Sequence, residues 1–469
     1  MRVMHALAAT LALLALLLAP AASAQTATPP RPTPPPDAVV SSRVDEFMNA
    51  EVKVNGFTGA VLLARKGVPI VSKGFAMANI EWQIANTPQT KFRLGSITKQ
   101  FTSMAIMQLQ QMGKLKVEDS ICQHLTPCPE AWKPITVHHL LTHTSGIPSY
   151  TNSPAYMRTM MVPKTSQEMI GSFRDMPLEF APGEQYKYNN SGYFLLGVIL
   201  EKLTGKKYED VIRDQILTPL GLADTGYDRT EIVLPKRASG YSRDGVTVRN
   251  APYLDMAQPY AAGAMYSTVE DLLKWDQALY TDKLLPEAAR KAMWTPFKGN
   301  YAYGWIVPPA SPATFNRTFV QHGGGINGFS TMIIRLPDEN LTAIVLANSM
   351  QAPTGRIAKD LVAIMLGEPY TVAVERTTAT INPKILDSLV GVYEIVPAFQ
   401  MTVTREGDQL YMQATKQPKF PLFPESETKF FLKVVDAQVT FVKDDTGAVT
   451  HLILHQLGKD QKARKLASQ

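Results

Sequence analysis

Past Pro369 the apolar residues of this chain change their period. From about 383 to 469 they alternate, as in FQMTVTREGDQLYMQA and KFFLKVVDAQVTFVKDDTGAVTHLILHQ. Glu-Gly-Asp and Asp-Thr-Gly stand at the turns. A period of two places apolar side chains on one face of a strand, so 383–469 reads as an all-β module. Residues 370–382 read as its linker. Before Pro369 helical spacing and strand-like runs are mixed. Ile97, Phe101, Met104, Ala105, Leu109 and Met112 fall at steps of three and four. They predict a helix over 96–112 that stops at Gly113. SGYFLLGVILEKLTG predicts another over 191–205, and VVSSRVDEFMNAEV a third near the start of the folded chain. Ser267 and Glu270 in STVEDLLKW predict a capping box. GFTGAVLLARKGVPIVSKGFAMAN reads as two strands joined at Lys66-Gly67, and STMIIRL and TAIVLAN as two more. Residues 114–180 read as helical and loopy.

The first 37 residues are set apart from this fold. Arg2 begins a short positive segment, ALAATLALLALLLA is apolar, and Ala22-Ser23-Ala24 forms a small-residue cleavage site. That order predicts a secretory signal peptide over 1–24. No later stretch holds the ~18 apolar residues a membrane span needs. The expectation is export without a transmembrane segment, into a bacterial periplasm. Residues 25–37, QTATPPRPTPPPD, read as an extended Pro-rich linker. The formal net charge is +6, but Lys and Arg are scattered, with no block resembling a nucleic-acid arm. Two cysteines are present, Cys122 and Cys128, in ICQHLTPCPE. In an exported chain they suggest a disulfide stapling one loop. The alternative is half of a metal site, with only His124 adjacent; zinc wants about four ligands. No metal is expected.

Three motifs carry candidate chemistry. The first is Ser96 and Lys99 in FRLGSITKQF. At a helix start the two share a face, one turn apart. A serine hydroxyl needs a base, and lysine can serve only if its pKa is lowered. Free N–H groups at the helix start could hold an oxyanion. The plain alternative is an N-cap serine and a solvated lysine. The same spacing recurs at Ser426 and Lys429 with nothing chemical around it. The second motif is Tyr188-Asn189-Asn190 in PGEQYKYNNSGYFLLG, at a loop-to-helix entry. Tyr188 could be a base or proton relay, and Asn190 could hold a carbonyl oxygen. Tyr150-Thr151-Asn152 is a rival in a turn-like context. The third is His322-Gly323-Gly324 in QHGGGINGFS, where glycines on a strand let a ligand lie against the backbone. An ordinary Gly-rich turn is the alternative.

Ser-x-x-Lys, Tyr-x-Asn and His-x-Gly in this order resemble the serine β-lactamase and penicillin-binding-protein superfamily. Class C β-lactamases, D,D-carboxypeptidases, D-aminopeptidases and related esterases are most similar. The stretches FRLGSITKQFT, ITVHHLLTHTSGIPSY, PGEQYKYNNSGYFLLGVILEKLTG, PLGLADT and HGGGINGF carry the resemblance, over roughly residues 40–365. It implies an α/β (α+β) fold: an antiparallel sheet flanked by helices and a mostly helical subdomain, spanning 38–369. The C-terminal module looks like the small β-barrels appended to some of these hydrolases. The resemblance makes Ser96 the acylated nucleophile, Lys99 its proton acceptor, and Tyr188 the activator or relay to the leaving group. Asn190 would contact the substrate amide and Lys99. His322 would stand where β-lactamases carry the lysine of Lys-Thr-Gly, with Gly323 and Gly324 completing that motif. The backbone N–H groups of Ser96 and Gly325 would form the oxyanion hole. His143 in LLTHTSG looks structural in this family.

The third motif departs from β-lactamases. A lysine there recognises the penicillin carboxylate, whereas a histidine is mostly neutral at pH 7, and Gly323 removes a threonine hydroxyl. Weak β-lactam turnover is therefore expected. The resulting expectation is an exported serine hydrolase of D,D-peptidase, D-aminopeptidase or esterase type, without cofactor. Its substrate would be a small molecule or short peptide, with peptidoglycan-derived peptides among the candidates. A β-lactamase and a catalytically dead binding protein on the same scaffold are the alternatives. No Gly-x-Ser-x-Gly or His-Glu-x-x-His is present, which disfavours α/β-hydrolase and zinc-peptidase readings.

Overall fold

The computed structural model describes residues 31–244, 247–433, 437–456 and 459–466. The expected signal segment 1–24 and residues 25–30 of the Pro-rich stretch lie outside them. A helix, α1 (Asp37–Asn55), starts directly after Pro36 and ends at Gly56, whose φ of 62° closes it in the left-handed region. Two strands follow, β1 (Gly59–Arg65) and β2 (Val68–Phe75), joined at Lys66-Gly67. Far along the chain come β3 (Val320–Ile326), β4 (Phe329–Leu336) and β5 (Leu341–Ala347). The five form one sheet in the order β3-β4-β5-β1-β2, antiparallel throughout.

The strand period decides which layer each residue joins. On β1, Val61 and Leu63 point into a core shared with α1 and with α6 (Thr354–Leu366), while Ala60, Leu62 and Ala64 point into the opposite core. With both faces covered, β1 and β5 are almost wholly buried, which explains why their sequences read as continuous apolar runs. The second core is mostly helical. It holds α2 (Thr98–Gln111), α3 (Asn190–Thr204) and α5 (Val269–Ala278). α5 also sends a charge under the sheet. Asp276 accepts from Arg335 Nε and from Thr342 Oγ1, each at 2.6 Å, with Asp276 and Arg335 fully buried.

The capping box expected from Ser267 and Glu270 does not form there, and the cap lies one residue on. Thr268 is the N-cap, accepting from the Asp271 N–H, while Ser267 ends a short strand, Met265–Ser267. The strand pairs with Phe92–Arg93 and claims the Ser267 backbone, so the next hydroxyl takes the cap. Cys122 and Cys128 are bonded to each other in the loop region before α3.

Residues Gly391–Lys465 form a closed eight-stranded antiparallel barrel. Its interior is apolar, built from alternate residues such as Met401, Val403, Leu410, Val439, Phe441 and Leu452. Gly407 and Gly447, both at positive φ, serve the Glu-Gly-Asp and Asp-Thr-Gly turns. The second Ser-x-x-Lys lies in this barrel at a hairpin turn, where Ser426 Oγ accepts from the Lys429 N–H and the Lys429 side chain leans toward Glu425. The overall architecture is mixed α/β with antiparallel sheets and helices, followed by the barrel.

Candidate active site

α2 does not begin at Ser96. Residues Gly95–Ile97 form a 3-10 turn, and the α-helix starts at Thr98. Ser96 therefore stands just ahead of the helix, half-buried, and caps nothing with its side chain. The turn needs Gly95, which has φ 55° and packs against Gly325 of β3; a Cβ there would lie 3.0 Å from the Gly325 nitrogen.

Lys99 is fully buried one turn on. Its Nζ lies 3.0 Å from Ser96 Oγ, 2.9 Å from Asn190 Oδ1 and 2.8 Å from the Ala262 carbonyl oxygen. The ring of Tyr188 is 4.9 Å away by its centroid and that of Tyr193 5.4 Å. Among the described residues no carboxylate is paired with it, and burial holds its pKa well below the ordinary lysine value. A neutral amine has two N–H groups and one lone pair. The Ala262 carbonyl and Asn190 Oδ1 can only accept, so they take both N–H groups. In the neutral form, which the lowered pKa favours, the lone pair is left for Ser96, whose hydroxyl can then donate to it.

Asn189 caps α3, its side chain accepting from the Gly192 N–H. That cap fixes the residues on either side. Asn190 Nδ2 donates to Thr151 Oγ1 at 3.1 Å, which turns Oδ1 toward Lys99. Tyr188 brings its ring over Lys99, and its hydroxyl is buried beside Ser96 without a hydrogen bond of good geometry. Burial raises the Tyr188 pKa above the ordinary phenol value, and the nearby Ser96 hydroxyl offsets only part of this. Tyr188 is thus a neutral hydroxyl, suited to passing a proton rather than to standing as tyrosinate. His143 supports this corner. Its Nδ1 accepts from the Asn189 N–H at 3.1 Å, and its ring centroid lies 4.3 Å from that of Tyr188.

β3 forms the facing wall. It is an edge strand of the sheet, and a two-residue turn joins it to β4. The closing pair Ile326–Phe329 is hydrogen-bonded in such a hairpin, so Gly325 turns its N–H outward, toward the Ser96 turn. Gly324 lets the strand come this close; a Cβ on it would lie 1.9 Å from the Leu94 carbonyl oxygen. His322 is buried. Its Nδ1 is 2.6 Å from the Gly323 oxygen, and its Nε2 is 2.9 Å from the Tyr301 hydroxyl. The carbonyl can only accept, so Nδ1 carries the proton and Nε2 takes the Tyr301 hydrogen. Burial, with Lys99 adding to it, lowers the His322 pKa to about 3. The third motif presents a neutral imidazole.

These motifs can be compared with known proteins. Residues 42–366 match the Beta-lactamase family model. The chain belongs to the beta-lactamase family. Residues 375–467 match a domain of unknown function. Penicillin-binding protein 4* of Bacillus subtilis is 30% identical over 87% of this chain and 94% of its own length. Among solved structures, the octameric penicillin-binding protein homologue from Pyrococcus abyssi is 27% identical. It covers 90% of this chain and all of its own, with a TM-score of 0.65. The D-stereospecific amidohydrolase from Streptomyces is 26% identical over 71% of this chain and all of its own, with a TM-score of 0.59. The neighbourhood is one of penicillin-binding-protein-like hydrolases, and the fold is that of this family.

Within that beta-lactamase fold, the structure brings Ser96, Lys99, Tyr188, Asn190 and the β3 glycines together. The rival Tyr150 is elsewhere, in the core with its hydroxyl on the Gln258 carbonyl, although its neighbour Thr151 holds Asn190. Sequence reasoning placed Thr151 only in the rival turn, and it missed Tyr301, Gly304 and Ala262. Gly304 lets backbone pass over α2, since a Cβ there would meet the Lys99 carbonyl oxygen at 2.8 Å. A glycine directly before Ser96 could have served as a signal for Gly95; nothing marked Tyr301 or Ala262. Among the described residues no cluster of His, Cys, Asp or Glu could hold a metal ion, and no helix is long and apolar enough to cross a membrane.

Proposed function

We propose that this chain is an exported serine hydrolase working through an acyl-serine intermediate on peptide or ester bonds of small substrates. The observation that carries this reading is the set of partners on Lys99, which leaves a lone pair for Ser96 alone. In the first step Ser96 Oγ attacks the substrate carbonyl and its proton passes to Lys99 Nζ. The oxyanion is held by the backbone N–H groups of Ser96 and Gly325. The proton then passes through the Tyr188 hydroxyl to the leaving nitrogen or oxygen as that bond breaks. Water attacks the ester, gives its proton to Lys99, and Ser96 Oγ departs with a proton returned. Asn190 holds Lys99 and contacts the substrate carbonyl side. Export rests on the signal-like first 24 residues.

The neutral His322 directs the reading away from β-lactams and toward D-amino-acid amides, short D-peptides and small esters, because the cleft offers no cation at that position for a carboxylate. The test is intact-protein mass spectrometry on wild type and Ser96→Ala with p-nitrophenyl acetate, D-alanine amide and benzylpenicillin. A transient or lasting adduct mapped to Ser96, absent in Ser96→Ala, supports the assignment. Turnover that survives Ser96→Ala overturns it.

A further inference from the structure

A cavity of about 250 Å³ is lined in part by Asp255, Met256, Ala257 and Tyr260, the last being the first residue of α4 (Tyr260–Gly263), the short helix whose Ala262 carbonyl holds Lys99. Three tyrosines cluster along it, Tyr208, Tyr227 and Tyr260, with ring centroids 5.1 to 6.5 Å apart. Carboxylates surround them, but not all are free. Asp228 is consumed by Arg93 and Arg237, and Glu209 and Glu231 by Arg229. Glu201 and Asp255 remain. Each accepts one backbone N–H, from Tyr208 and Ala257, and neither forms an ion pair among the described residues. Lys207 borders the cavity without pairing to either.

An independent observation points the same way. Tyr260 is 8% exposed, and its hydroxyl is buried beside Glu201 without a hydrogen bond of good geometry. Its backbone has φ 41°, a conformation a tyrosine rarely adopts, and its ring lies across the helix position of Gly197, where a Cβ would be 2.4 Å from it. The chain thus gives up a side chain on α3 to place this ring in the cavity. Burial raises the pKa of Tyr260 and Tyr227, and the fields of Glu201 on the one and of Glu209 and Asp255 on the other add to it. The wall is acidic and aromatic, and its Arg229 is engaged with Glu209 and Glu231, which leaves Glu201 and Asp255 without an ion pair among the described residues.

We propose that this cavity binds a primary alkylammonium group, its three N–H donors meeting Glu201, Asp255 and the Tyr260 hydroxyl, and its alkyl stem lying against the tyrosine rings. A metal ion is the poorer match, since no group of three metal-ligating side chains stands here among the described residues. Two carboxylates and a phenol oxygen can take all three N–H groups of an ammonium, and aromatic walls favour an organic cation.

The test is isothermal titration of the full chain with n-butylammonium chloride at fixed ionic strength. One saturable site is expected. Tetramethylammonium, with the charge but no N–H, should bind about tenfold more weakly. Glu201→Gln and Asp255→Asn should each weaken n-butylammonium about tenfold. Glu201→Gln keeps the oxygen that accepts from Tyr208, and Tyr260→Phe loses no partner, so a folded variant is available in either case. Tyr260→Phe should weaken binding by a smaller factor. Absence of saturable binding overturns the proposal. So does equal affinity for tetramethylammonium, or binding unchanged by both carboxylate variants.

Discussion

Lys99 Nζ stands 3.0 Å from Ser96 Oγ, and its two other hydrogen-bond partners are carbonyl oxygens. The amine is buried, with burial lowering its pKa well below the ordinary value. If Lys99 is the base, the rate must follow its neutral form. The ester-hydrolysis kcat/KM should therefore rise with pH to a plateau, with the ascending limb well below the usual lysine range. Lys99→Arg, always charged and larger, should lose ~10³-fold or more in kcat/KM. An unchanged profile in Lys99→Arg would sink the role of Lys99.

His322 makes stability depend on acid. Its folded pKa is about 3 against an ordinary 6.5, so between those values the unfolded chain binds the extra proton. Unfolding free energy then rises with pH across that window and falls as pH drops through it. His322→Gln should flatten this dependence, by an amount on the order of a few kcal/mol. Urea melts of the two proteins from pH 4 to 7 measure it. Parallel curves would show that His322 is not held neutral.

Tyr301→Phe removes the donor to His322 Nε2 and leaves that nitrogen buried and unpaired. The expected loss is about 1–3 kcal/mol of stability, read by chemical denaturation. Nitrocefin turnover gives a separate check on the same residue pair. A neutral imidazole in this position should give slow hydrolysis, and a rate like that of a true class C β-lactamase would contradict it.

Two glycines on β3 separate closeness from chemistry. Gly324→Ala puts a Cβ 1.9 Å from the Leu94 oxygen and must push the edge strand away from Ser96. Stability should fall by ~1–3 kcal/mol, and acylation should fall with it. At Gly325 an added Cβ meets nothing within 4 Å, so Gly325→Ala should melt like wild type. Thermal melts with rates of ester acylation distinguish the two; a Gly324→Ala protein as stable and as active as wild type would mean the strand is not in contact with the turn.

The sequence by itself carried the residue types, their order and the local periods. Apolar steps of three and four drew α2 and α3 to within a residue or two, because a helix face is a local property. Alternation drew the barrel strands for the same reason. The sequence could show Ser96 and Lys99 as neighbours but not the state of Lys99. That state depends on burial and on the Ala262 carbonyl, 163 residues away in the chain. His322 was legible as a histidine on a glycine-rich strand. Its tautomer was decided by Tyr301 and the Gly323 carbonyl, which meet it only once β3 is placed. The one-residue shift of the cap to Thr268 has the same origin, since strand pairing removed Ser267 from use. Spacing is written along the chain. Desolvation, and the partners that take each proton, exist only where distant segments pack together.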